Sequence, residues 1–166
     1  MMLRLVSSSM PKNPSLPESL AKARAYCARQ ERCQQEVRDK LYGWEVPSRE
    51  IEPIIAQLIG EGFLNEARFA EHFAVSKLRQ KGWGLRKIES ALRMKRVSEH
   101  CIRHGLKAID VEEATASLLK LVTKRWEKVR EENKPIKRQK VMRYFIGGGY
   151  AVEQVEKALV AMNDAG

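Results

Sequence analysis

His100 and His104 stand four residues apart in the stretch SEHCIRHGL, with Cys101 between them. On a helix that spacing puts two imidazoles on one face, an arrangement that can grip zinc or a related metal. A site of that kind needs a third ligand, and none is evident nearby. Ile102 and Leu106 of the same stretch face inward, so both histidines point outward; they read as a solvated surface pair, and no metal is expected. His72, beside Phe69 and Phe73, reads as a partly buried packing residue rather than a catalytic base. Cys27, Cys33 and Cys101 have no zinc spacing, no even count for a disulfide set and no general base at a recognisable spacing, so they read as reduced thiols. The glycines at 147–149 lack the following Lys-Ser/Thr of a phosphate-cradling loop and read as a turn between helices. The expectation is a protein that is not an enzyme and uses no cofactor.

The side chains with the clearest chemistry are cations. The stretch KGWGLRKIESALRMKRV, residues 81–97, contains Lys81, Arg86, Lys87, Arg93, Lys95 and Arg96 against one acid, Glu89. A second cluster, KPIKRQKVMRYF at 134–145, sets Lys137, Arg138, Lys140 and Arg143 around Val141. The chain has a net charge of +10, and residues 66–109 alone, with eleven Lys and Arg against four Asp and Glu, supply +7 of it. Charge placed so unevenly fits a polyanionic partner, either a phosphate backbone or an acidic protein surface. The plainer alternative is a solvated basic face. Trp83 and Trp126 could stack on bases, or could cap a small helical core.

A repeat positions these cations. Taking Leu41, Leu92 and Phe145 as anchors, Val37, Ile88 and Val141 stand four residues before them. Five after come Val46, Val97 and Tyr150; ten after, Ile51, Ile102 and Val155; fourteen after, Ile55, Leu106 and Leu159; seventeen after, Leu58, Ile109 and Met162. Each copy reads as helix, short turn, helix, with the last three positions forming an i, i+4, i+7 stripe. A further helix precedes each pair, over 19–29, 68–79 and 112–129, the second of them capped by Asn65. No stretch alternates with period two. The expected fold is therefore all-α: a disordered tail over 1–18, then three tandem three-helix, helix-turn-helix-like units over 19–65, 66–110 and 111–166, stacked into an elongated, curved molecule. The second basic cluster occupies the same place in its unit as the first, so a groove lined by units two and three would be electropositive. The first unit has only Arg38 and Lys40 there, balanced by Glu36 and Asp39. No apolar run is long enough for a membrane span.

The chain resembles the RecX family of bacterial recombination regulators. The resemblance rests on RCQQEVRDKL (32–41), where the family usually has Ser or Thr at Cys33, and on GFLNEARFA (62–70), with Asn65 and Glu66 replacing two acids. It extends to KGWGLRKIESAL (81–92) and to KRQKVMRYFIGGGY (137–150), where Gly148 stands in place of a usual Arg or Lys. It covers about residues 20–162. It implies a cytoplasmic, monomeric regulator that binds the RecA recombinase filament on single-stranded DNA. Such a protein restrains filament extension and lowers ATPase, strand-exchange and co-protease activity, and so modulates recombination, repair and the SOS response. Weak nucleic-acid binding is compatible with it, and no membrane is involved. The ten cations named above are the expected contacts. The alternative is a helix-turn-helix protein that acts on DNA directly; against it, no minor-groove arm and no dimer element are evident. A scaffold whose basic face is irrelevant is a third reading.

Overall fold

The computed structural model describes residues 15–166, and residues 1–14 of the tail expected over 1–18 lie outside them. Residues 15–18, assigned to that tail by the sequence reading, instead open the first helix, α1 (Leu16–Arg29). The reason is local: Ser15 accepts from the Glu18 amide at 3.4 Å, while its own amide donates to the Glu18 carboxylate at 3.1 Å. This reciprocal box, with Pro17 in the first turn, satisfies donors that a helix start otherwise leaves unpaired.

The described residues form nine α-helices and no strand. After α1 come α2 (Gln34–Gly43), α3 (Ser48–Gly60) and α4 (Glu66–Ser76), the last running on into a π-helical turn, Lys77–Lys81. Then follow α5 (Leu85–Met94), α6 (Glu99–Lys107), α7 (Val111–Lys128), α8 (Lys134–Gly147) and α9 (Val152–Ala165). Asn65, Ser98, Asp110 and Asn133 cap α4, α6, α7 and α8 through their side chains.

The repeat has a structural counterpart. Of its eighteen aliphatic and aromatic positions, sixteen are buried; Leu106 and Met162 are half-buried. The turns match as well. The carbonyls of Leu41, Leu92 and Phe145 accept from the amides of Val46, Val97 and Tyr150, each at 3.1 Å. The residue before each donor is left-handed, with φ of +61° at Glu45, +58° at Arg96 and +98° at Gly149. This is the Schellman closure of a helix, made three times at equivalent positions. The amide five residues beyond the anchor caps the helix, and its side chain turns into the core.

Among the described residues two compact units result, one ending at Leu64 and the other running from Asn65 to Gly166. The first holds one core, with Val37, Leu41, Ile51, Ile54 and Leu58 at its centre. The second unit contains two of the three-helix repeats, joined by backbone. The amide of Gly84 donates to the Gly148 carbonyl at 2.8 Å, and that of Arg86 to Gly149 at 3.1 Å. These are amides at the start of α5, which have no partner inside their own helix; the turn between α8 and α9 supplies it. The Tyr150 hydroxyl donates to the Gly82 carbonyl at 2.9 Å, and Arg79 forks onto Glu113 at 2.6 and 3.0 Å.

Candidate functional site

Beside this seam lies a cleft of about 550 Å³, lined by Lys81, Lys87, Lys124, Arg125 and Lys128, by the rings of Trp83 and Tyr144, and by Gly82, Gly147 and Gly148. No carboxylate lines it. Lys81 ends the π-helical turn, which stops because Gly82 adopts a left-handed φ of +65°. Lys87 lies in the first turn of α5. Lys124, Arg125 and Lys128 come from the last turns of α7, where the partial negative charge of the helix end favours cations. The Arg125 guanidinium lies 3.8 Å from the Tyr144 ring centroid, and Lys87 Nζ lies 4.6 Å from that of Trp83. Trp83 is also edge-on to Phe73, with centroids 6.3 Å apart.

Only Lys81 and Lys87 of the ten expected contact residues line this cleft. Arg86, Arg96 and Arg143 are exposed, with no ion-pair partner among the described residues. Lys95 Nζ lies 5.9 Å from the Phe73 ring. Arg93 is held between Glu89 and Glu99, its Nε donating to Glu99 at 2.6 Å; both contacts favour its charged form. Arg138 stands 3.8 Å from Glu156, and Lys140 is 3.0 Å from Glu131. Lys137 lies over Trp126 at 4.8 Å. The expected face is therefore mixed: four of the ten cations lie against a ring or a carboxylate of unit three or within α5 and α6, and three project freely.

The sequence reading missed Lys124, Arg125 and Lys128. They sit in a segment, TKRWEK, whose i, i+4 lysines were a legible signal, but the segment's near-neutral surroundings hid it. His72 is exposed rather than partly buried, because α4 turns Phe69, Ala70 and Ala74 inward and leaves position 72 outside. His100 and His104 are both exposed, and His104 Nε2 meets Glu71 at 2.6 Å. Cys27, Cys33 and Cys101 are free thiols, and burial pushes the Cys27 thiol up from its ordinary pKa. Among the described residues no helix is long and apolar enough to cross a membrane.

Two family models match the chain: RecX, first three-helix domain, over residues 20–58, and RecX, second three-helix domain, over residues 65–106. Curated proteins named Regulatory protein RecX are similar. That of Clostridium perfringens (strain 13 / Type A) is 32% identical over 70% of this chain and 55% of its own length. That of Clostridium tetani is 28% identical over 76% of this chain and 58% of its own length. That of Thermobifida fusca is 26% identical over 85% of this chain and 79% of its own. The matched region is thus little more than half the length of the two clostridial relatives. The crystal structure of RecX from Lactobacillus salivarius shares the fold with a TM-score of 0.80 at 18% identity, covering 89% of this chain and 96% of that one. Two RecX three-helix domains matched in chain order, together with the curated relatives, show that this chain belongs to the RecX family.

Proposed function

We propose that this protein is a non-enzymatic regulator that binds the RecA recombinase filament on single-stranded DNA and restrains its extension. Lower ATPase, strand-exchange and co-protease activity would follow, and with them a damped recombination and SOS response. The observation that carries this reading is the pair of matched RecX domains, 20–58 and 65–106. The relatives' printed name, regulatory protein, supports a regulator's role over a catalyst's. The chain's net +10 supports electrostatic steering toward a polyanionic filament, and the exposed Arg86, Arg96 and Arg143 are the side chains best placed to make first contact. The protein acts as a monomer in the cytoplasm in this reading.

A block on extension acts at filament ends, so growth of single RecA filaments should stop at a protein concentration well below that of RecA. Growth slowed only at a one-to-one ratio, or equal inhibition of an unrelated ATPase, would sink the proposal. One observation favours a second reading, direct action on DNA: the carboxylate-free cleft, which suits phosphates without any recombinase present.

A further inference from the structure

Several cations among the described residues are already neutralised by ion pairs. Arg24, Arg38, Arg79, Arg93, Arg138 and Lys140 each meet a carboxylate. The five that line the cleft between the second and third repeats meet none among the described residues. Like charges gathered in a recess repel one another, and the low-dielectric walls of a recess focus their field. Arg125 shows the same incompleteness at atomic scale: its Nε is shut from solvent and has no hydrogen-bond partner. A buried donor left unmade is costly and calls for an acceptor.

We propose that this cleft binds a nucleotide unit, a flat base joined to two or more phosphates. The cations of α7 and Lys81 take the phosphates. Tyr144, 52% exposed, with Arg125 over one face and Phe145 edge-on at 5.1 Å, offers its remaining face to the base. The floor is bare: a Cβ at Gly147 would meet nothing within 4 Å, so a ligand can lie directly on the turn. About 550 Å³ is within the range of small-molecule sites. An acidic peptide would satisfy the charges but would leave the ring face unused. The same chemistry is presented by a free nucleotide and by a nucleic-acid strand. The proposal rests on the cleft alone and stands or falls independently of the filament reading.

The test uses the full chain with no recombinase present. Calorimetric titrations would compare a nucleoside triphosphate, a short oligo-dT strand, inorganic triphosphate and an oligo-glutamate peptide. The nucleoside triphosphate or the strand should bind more tightly than the other two, and whichever binds more tightly identifies the source. Substituting Lys124→Gln together with Lys128→Gln, both exposed, should weaken that binding roughly tenfold through lost phosphate contacts. Tyr144→Leu should weaken the base-bearing ligands and leave inorganic triphosphate unchanged. The pair Arg29→Gln and Arg49→Gln, exposed in the first unit and outside the cleft, should change nothing. Equal binding of inorganic triphosphate, preference for the peptide, or indifference to the Lys124 and Lys128 substitutions would overturn the proposal.

Discussion

Gly84 and Gly149 meet backbone against backbone: a Cβ built on Gly84 would lie 2.3 Å from the Gly149 carbonyl carbon, and one built on Gly149 would lie 2.5 Å from the Lys87 amide nitrogen. Neither obstacle is a side chain that can swing aside. The contact lets the turn after α8 cap α5 and locks the second and third repeats together. Gly84→Ala should therefore cost about 1–3 kcal/mol, the range for forced overpacking. Urea unfolding would measure it, and a change below about 0.5 kcal/mol, ordinary for a surface site, would show that the seam yields.

The three helix closures make a second prediction. The left-handed position is glycine in the third copy but Glu45 and Arg96 in the first two. A side chain there costs roughly 1 kcal/mol through its Cβ. Glu45→Gly and Arg96→Gly should each raise stability by up to about that amount, reduced by the greater freedom of glycine in the unfolded chain. Gly149→Ala should do the opposite, since it adds both the backbone strain and the clash.

Acid should loosen the first unit by a route that can be isolated. The Arg24 guanidinium donates twice to Glu61, at 2.6 and 2.7 Å, and Gln57 adds a third bond, which together lower the Glu61 pKa from 4.5 to about 2. A depressed carboxylate contributes stability that is present above its unfolded pKa and is lost as pH falls from 4.5 through about 2. Both side chains are partly exposed, so the effect is screened and modest. The melting temperature of the intact protein should fall through that window, and that of Arg24→Gln should fall less. Identical pH profiles would show that the pair contributes nothing.

Much of this was legible because burial follows periodicity. Val37 and Leu41, Ile88 and Leu92, Val141 and Phe145 announce themselves by spacing and type, and all six are buried. Caps such as Asn65 and Ser98 were readable for the same reason: the chemistry is local. What escaped depends on partners distant in sequence. Nothing around Arg79 says that it will fork onto Glu113, thirty-four residues away. Nothing around Lys124 or Arg125 says that they will face Lys81 and Lys87. The left-handed Glu45 and Arg96 escaped because the turn's geometry is set by the buried Val46 and Val97, and their own residue types oppose it.

The ion pairs sort the basic face by expected effect on its partner. Arg86, Arg96 and Arg143 are unpaired and exposed among the described residues, whereas Arg93 is already engaged with Glu89 and Glu99. Under the proposed function, reversing Arg86, Arg96 and Arg143 to Glu together should weaken inhibition of RecA by about tenfold or more and slow association most at low salt. Arg93→Gln should act on stability rather than on the partner, and only weakly, because the pair is solvent-screened. Unchanged inhibition by the triple reversal would make the basic face irrelevant to the partner.

The central claim is tested most directly by single-stranded-DNA-dependent ATP hydrolysis of the cognate RecA, titrated with this protein beside a naked-DNA binding titration in the same buffer. The account predicts that hydrolysis falls at concentrations where naked DNA is still unbound. Loss of hydrolysis only where the DNA is already coated would contradict it and would mean that the protein competes for DNA rather than regulating the filament.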